Sequence, residues 1–230
     1  MRDRRKYKEI IYAFLNRNYS FTLFHGGEIP VEHTVIFRHD VDFSVEAALD
    51  IAKIDKELGV TSTFFFLLNS DFYNIFSRRS YEQIAEIHRL GHCVALHLDK
   101  VFYEIPSFAQ RSHEIFCSWL TFSQKDIISI HRPGCLTPDN PLKNVMSTYD
   151  DRFVKDMRYF SDSGYKWREC PLTSKEFAEG HNIQLLLHPI WWVYDGNTCE
   201  QKFEKFLEQR QQILKEELQN NFSEKLAWSN

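Results

Sequence analysis

The stretch TVIFRHDVD, residues 34–42, runs from an apolar segment directly into a pair of carboxylates. Its first four residues are apolar or β-branched, which predicts a buried strand. Asp40 and Asp42 lie two apart, so in extended backbone both carboxylates point to the same side. Crowded carboxylates repel and usually hold a cation or share a proton. One of them can then bind a metal while the other acts as a general base. The alternative is a turn in which Asp42 caps the next helix.

Outward from this stretch, predicted helices alternate with apolar strands. Helices are predicted over 4–17, 45–58, 80–91, 107–121 and 199–219, and further strands over 60–67, 93–96, 127–130 and 183–187. Apolar strands separated by helices imply a parallel sheet covered on both faces. Several strands end in Asp, His or Arg, and in an α/β barrel the C-terminal strand ends form the rim that carries active sites. The pattern predicts one α/β-barrel domain over 1–230, with the two terminal helices packed on it.

Three further strand ends supply candidate site residues. His97 is either a metal ligand or a core histidine bonded to backbone. His131 offers a ligand or an acid, and the adjacent Arg132 can orient a carboxylate such as Asp40; the alternative is a surface salt bridge. His188 can protonate a leaving group.

Aromatic residues near the last of these ends suggest a sugar-binding surface. Trp191 and Trp192 follow His188 closely and suit stacking on sugar rings, although one of them is expected to pack in the core. The polar loop over 161–168 is either a binding loop or an ordinary turn. Asp162 and Trp167 within it are further candidate substrate-binding residues.

The composition excludes several classes of function. A chain of 230 residues with 43% apolar residues can build one sizeable core, and a net charge of -4 argues against nucleic-acid binding. The five cysteines form no C-x-x-C pair, as expected of reduced thiols rather than a disulfide framework. The sequence shows no secretory signal region and no membrane-spanning apolar stretch, so we expect a cytoplasmic protein. G-x-S-x-G, P-loop and G-x-G-x-x-G motifs are absent.

Taken in order, the strand-end motifs resemble those of the polysaccharide deacetylases, carbohydrate esterase family 4. The matching strings are RHDVD (38–42), GHCVALH (91–97), HRP (131–133) and LLH (186–188). RHDVD, SDSG and HPIWW also resemble a branch associated with bacterial surface-polysaccharide biosynthesis. The resemblance implies a distorted (β/α)7-like barrel and one divalent metal, with zinc expected.

Carried over residue by residue, the resemblance assigns a role to each strand end. It implies that Asp40 is the general base and that Asp42 and His97 bind the metal. It also implies that Arg132 orients the base and that His188 is the general acid.

The sequence departs from the family at the second metal-binding histidine, which normally lies four residues after the first. Val101 occupies that position here. His131, Asp99 and His188 are the candidates to complete the site. We favour His131 as the third ligand, because its strand should neighbour that of His97.

The function that these expectations give is metal-dependent removal of an N-acyl group, most simply acetyl, from an amino sugar. A nucleotide- or lipid-linked precursor of a surface polysaccharide is the expected substrate. Two alternatives stay open: a catalytically degenerate barrel that binds sugar, and a glycosyltransferase that holds a nucleotide diphosphate through an Asp-x-Asp metal site. The sequence does not give the sugar, the metal or the oligomeric state.

Overall fold

Parallel strands form a single sheet in the computed structural model, which describes residues 2–26, 32–134 and 140–222. The strands are β1 Ser20–Thr22, β2 Thr34–Val41, β3 Thr63–Leu67, β4 Cys93–Asp99, β5 Ile127–His131, β6 Met146–Ser147, β7 Arg158–Ser161 and β8 Ile183–Leu187. Their order is β6-β5-β4-β3-β2-β8-β7, and β1 pairs with the start of β2. β2, which carries the carboxylate pair, therefore lies inside the sheet between β3 and β8.

Helices connect the strands and cover the outside of the sheet. They are α1 Arg2–Leu15, α2 Val45–Glu57, α3 Arg78–Arg89, α4 Lys100–Tyr103, α5 Pro106–Trp119, α6 Asp151–Val154, α7 Lys175–Glu179, α8 Ile190–Val193 and α9 Cys199–Asn220. Short 3-10 turns occupy Ser163–Tyr165 and Pro171–Thr173. Ser44, and not Asp42, caps α2, because its Oγ accepts from the Ala47 amide at 3.1 Å. The Asp42 carboxylate is therefore not used as a helix cap and is free to take part in the rim of the barrel.

The sheet curls into a half-barrel, which confirms the predicted single α/β domain with a distorted (β/α)7-like barrel. Side chains bridge the interior between strands that are distant in the sheet. Gln184 of β8 donates to the carbonyl oxygen of Thr148, just after β6, at 3.1 Å and to that of Phe153 at 2.8 Å. Because both carbonyls belong to the β6–β7 connection, the two ends of the sheet are held together around the interior.

The strand β2 separates two buried environments, because its side chains alternate between faces. Arg38 and Asp40 point into the barrel, whereas His39 points outward under the helices. There His39 Nε2 lies 3.1 Å from Asp55 Oδ2 and 3.2 Å from Tyr7 Oη, and its Nδ1 contacts the Leu187 carbonyl oxygen at 3.2 Å. His39 thus ties β2 to α1, α2 and β8 and takes no part in the rim.

A buried lysine joins the two ends of the described chain. Lys202 of α9 is 0% exposed, and its ammonium donates to Asp3 Oδ2 and to the carbonyl oxygens of Trp191 and Tyr194, each at 2.7 Å. Both carbonyls lie in or beside α8, the helix that follows His188. This clamp fixes α8 between α1 and α9. In the described part of the chain, no helix is long and apolar enough to cross a bilayer.

Replacing Lys202 with methionine should lower the free energy of unfolding by about 3 kcal/mol, because it leaves the buried Asp3 carboxylate without its nearer cation and with only the half-exposed Lys6 at 3.6 Å. Urea denaturation followed by circular dichroism measures this. The matched control is Lys205→Met on the same helix, whose lysine is exposed and pairs with Glu208; its effect should stay within about 0.5 kcal/mol. A loss below about 1 kcal/mol for Lys202→Met would contradict the role of the clamp.

Candidate metal and acid–base site

Three side chains from different strand ends meet at the rim of the barrel. Asp42 follows β2, His97 lies near the end of β4, and His131 is the last residue of β5. His97 Nε2 and His131 Nδ1 lie 3.2 Å apart, and Asp42 Oδ1 lies 3.2 Å and 3.3 Å from them. These atoms form a nearly equilateral triangle, which we call the ligand triangle. The structure therefore brings together the three residues predicted to bind metal.

The ligand triangle has the dimensions of one face of a metal tetrahedron. Zinc bonds of about 2.0–2.1 Å to nitrogen and oxygen space tetrahedral ligand atoms about 3.3 Å apart. Two imidazoles and a carboxylate are ligands that zinc accepts, and three protein ligands leave a position for water or substrate. Asp42 Oδ1 is buried and has no hydrogen-bond donor among the described residues. The residues present therefore fit a divalent ion.

The charge state of Asp42 also suits a metal ligand. Burial alone would raise the pKa of its carboxyl group. The neighbouring His131 and His97 rings and the positive charge of His188 outweigh burial and hold the pKa well below its usual range. The carboxylate is therefore ionised at neutral pH, as metal binding requires.

Asp40 lies beside the triangle, with its Oδ2 3.7 Å from His97 Nε2. That oxygen accepts from Arg38 Nη2 at 3.3 Å and from Ser129 Oγ at 3.2 Å. The other oxygen, Oδ1, is buried and has no donor among the described residues. Oδ2 is thus held in place by two hydrogen bonds, whereas Oδ1 is available to accept a proton, as a general base requires.

The guanidinium that contacts Asp40 is that of Arg38 and not, as predicted, that of Arg132. Arg38 is fully buried, donates to Tyr149 Oη at 3.0 Å and lies 5.0 Å from the Tyr149 ring centroid and 5.7 Å from that of Tyr159. Burial lowers the pKa of Arg38, but the Asp40 charge more than compensates and raises it above its ordinary value. Arg132 is exposed, and within the described ranges it forms no ion pair with Asp40. Arg38 lies two residues before Asp40, so the alternation of side chains along β2 places both on the same face.

A histidine–aspartate pair stands on the other side of the triangle. His188 Nδ1 donates to Asp162 Oδ1 at 2.6 Å, and His188 Nε2 lies 3.8 Å from Asp42 Oδ2. Asp162 also accepts from the His188 amide and, at 2.7 Å, from Trp192 Nε1. Burial lowers the pKa of His188, but the charge and hydrogen bond of Asp162 outweigh it and raise the pKa to about 9. At neutral pH His188 is a cationic acid whose Nε2 faces the triangle.

The structure places the predicted substrate-binding residues largely inside the protein. Asp162 is buried and orients His188, so its carboxylate does not face solvent. Trp191 and Trp192 are both buried, whereas only one of them was expected in the core. Trp191 packs against Phe203 of α9, and Trp192 supports Asp162. Trp167 is half-buried and packs against the core. Rings that follow a strand end enter the core here because α8 and α9 cover them.

Two residues of the site escaped the sequence analysis. Arg38 lies two positions before Asp40, and the same period of two that pairs Asp40 with Asp42 also places Arg38 on their face. Ser129 on β5 lies opposite His97 of β4 in the sheet register and gives no sequence signal of its own. The first could have been found from the alternation of the strand; the second required the pairing of strands.

The chain matches no protein-family model and no curated protein. Solved structures similar to this chain include deacetylases of peptidoglycan and of chitin. A peptidoglycan deacetylase from Bdellovibrio bacteriovorus is 14% identical with a TM-score of 0.49, over 85% of this chain and 53% of that one. The chitin deacetylase from Colletotrichum lindemuthianum is 17% identical with a TM-score of 0.49, over 82% and 88%.

A third similar structure is a carbohydrate esterase family 4 pseudoenzyme from Bacillus anthracis. It is 16% identical with a TM-score of 0.47, over 82% of this chain and 63% of that one. This chain therefore spans about half of the Bdellovibrio protein and under two thirds of the Bacillus anthracis protein.

Protein purified without chelator should carry about one divalent ion per chain, and His97→Ala and His131→Ala should each lose it, since three protein ligands are needed to hold it. Inductively coupled plasma mass spectrometry measures the metal content. His181→Ala removes an exposed histidine elsewhere and should leave the content unchanged. Wild type that cannot be loaded with metal, or a His131→Ala variant that keeps its ion, would contradict the ligand triangle.

In chelator-treated protein, Asp162→Asn should lower the pKa of His188 from about 9 towards its ordinary value, because the charge that favours the imidazolium is removed. Nuclear magnetic resonance titration of the histidine rings measures this directly. Asp156→Asn, at an exposed carboxylate, is the control.

The same pKa shift has a consequence for stability. Because the folded pKa is raised, His188 contributes stability that is complete below about pH 6.5 and is lost as the pH rises through about 9. Urea denaturation between pH 6 and 10 should show this loss in wild type and a smaller one in Asp162→Asn. Equal slopes for the two proteins would contradict the pairing.

Proposed function

We propose that this protein is a metal-dependent deacetylase that hydrolyses the N-acetyl group of an amino sugar. One observation carries the proposal: the ligand triangle is flanked by a carboxylate held by Arg38 and by a cationic histidine held by Asp162. Hydrolysis of an amide needs a base for the attacking water and an acid for the departing amine. Asp40 and His188 lie on two sides of one candidate metal position, and they have the properties of such a base and such an acid, respectively.

Asp42, His97 and His131 would hold the ion, with zinc favoured by the ligand set. When bound, such an ion supplies Lewis acidity, which polarises the acyl carbonyl and makes water more acidic. Asp40 then takes the proton of the attacking water on Oδ1, the oxygen that Arg38 and Ser129 leave unbonded. His188 gives the proton on Nε2 to the amine as the carbon–nitrogen bond breaks, and Asp162 stabilises the imidazolium until that transfer.

The arrangement supports a hydrolase over both alternatives. An Asp-x-Asp glycosyltransferase needs no acid histidine beside its metal, whereas His188 lies 3.8 Å from Asp42. A degenerate sugar-binding barrel would have no reason to keep base, acid and their separate orienting groups together. We propose a cytoplasmic, nucleotide- or lipid-linked amino sugar of surface-polysaccharide biosynthesis as the substrate, on the resemblance of the RHDVD, SDSG and HPIWW strings. Faster turnover of intact cell-wall glycan would overturn that choice.

Asp40→Asn and His188→Ala should each lower kcat for release of acetate from a short N-acetylated amino sugar by about 100-fold or more, since each removes one proton-transfer group. Arg38→Met should lower kcat similarly, with a smaller change in KM, because Asp40 loses its orienting partner. Asp156→Asn and Arg111→Met, both at exposed positions, are matched controls. Metal-loaded wild type without turnover would favour the degenerate sugar-binding barrel instead.

A further inference from the structure

Arg132 has no role in orienting Asp40, yet it occupies an unusual position on the rim. It directly follows His131 of the ligand triangle, is exposed, and has a φ of 54°. A side chain other than glycine adopts this left-handed backbone only at an energetic cost, and such strained residues concentrate at functional sites. Within the described ranges its guanidinium forms no ion pair or hydrogen bond with protein. The structure therefore presents an unpaired cation beside the proposed reaction centre.

Lys100 stands next to Arg132 across the end of the sheet. Asp99 of β4 pairs in register with His131 of β5. Lys100 directly follows Asp99, and Arg132 directly follows His131. The Lys100 ammonium lies 3.4 Å from the position that a Cβ atom would occupy at Gly134, so it packs against the turn that follows Arg132. The Lys100 ammonium also forms an ion pair with Glu104 at 3.5 Å. Two adjacent cations at one rim favour an anionic ligand over a neutral one.

An exposed apolar surface continues from this pair of cations. Val101 is 63% exposed, Ile105 41% and Phe108 48%, and all lie on α4, the start of α5 and their connection. Phe108 also packs against Phe102, with ring centroids 6.0 Å apart. Exposed apolar residues that cluster beside a polar site mark a binding surface for an apolar group. Val101 is notable because it stands where the deacetylase motif has a histidine.

We propose that Arg132 and Lys100 bind the phosphate of a lipid-linked amino sugar whose hydrocarbon chain lies on Val101, Ile105 and Phe108. The inference rests on the proposed function and names its substrate class. Charge and apolar surface occur side by side at one rim, in the order that a sugar, a phosphate and a lipid follow in such a molecule. A nucleotide-linked sugar would use the two cations but leave the apolar residues without a partner.

Isothermal titration calorimetry on the full chain as purified tests this with three probes: farnesyl monophosphate, farnesol and uridine monophosphate. Wild type should bind farnesyl monophosphate about tenfold or more tightly than either of the others, because only this probe engages both surfaces. Arg132→Gln and Lys100→Gln should each weaken its binding about tenfold and leave farnesol unchanged. The double variant Val101→Ser with Phe108→Ser should reduce its affinity to that for uridine monophosphate.

Matched controls separate these effects from general changes of surface. Lys175→Gln removes a lysine that, like Lys100, pairs with a glutamate four residues later, and Leu214→Ser removes an exposed apolar residue of α9. Neither should alter any affinity. Equal binding of the lipid and nucleotide phosphates overturns the lipid assignment, and an unaltered Arg132→Gln variant overturns the phosphate site. Since these measurements involve no turnover, their failure is distinct from failure of the deacetylase activity.

Discussion

The approach of three ligand atoms to within 3.2–3.3 Å of one another is the constraint around which the rim is organised. Lone pairs from a carboxylate and two imidazoles converge there, and such an arrangement is stable only when a cation or protons occupy its centre. The three atoms come from separate strands, so the convergence depends on the parallel sheet and its curl.

Buried charges in this protein occur in pairs, and each pair fixes one functional element. Arg38 holds the Asp40 carboxylate, and Asp162 holds the His188 imidazolium. The Lys202–Asp3 pair holds the helix that follows His188. Because an unpaired buried charge costs several kcal/mol, each of these pairs also holds its two side chains in a fixed orientation. Asp40 and His188 therefore each lie within 4 Å of a member of the ligand triangle, Asp40 at 3.7 Å from His97 and His188 at 3.8 Å from Asp42.

The position of His131 in the ligand triangle has a consequence for the shape of the rim. His131 on β5 completes the ligand triangle, so the position four residues after His97 is free to hold Val101. That residue and the helix around it then form part of an exposed apolar surface instead of a metal site. The guanidinium beside Asp40 is likewise that of Arg38, inside the barrel, whereas Arg132 is exposed on the rim. Under the proposed function, Val101 and Arg132 are both available to contact a substrate.

Sequence alone determined the alternation of helices and strands, because apolar runs and caps such as Ser44 act locally. It also determined the candidates for metal ligands, base and acid, since these residues follow the strands at recognisable positions. Tertiary structure decided which of them meet. Asp162 and Trp192 are one hydrogen-bonded unit with His188 although the tryptophan suggested sugar stacking, and Arg38 rather than Arg132 reaches Asp40. Local patterns determine which way a strand residue can point, but the curl of the sheet and the helices packed over its rim determine what that residue contacts.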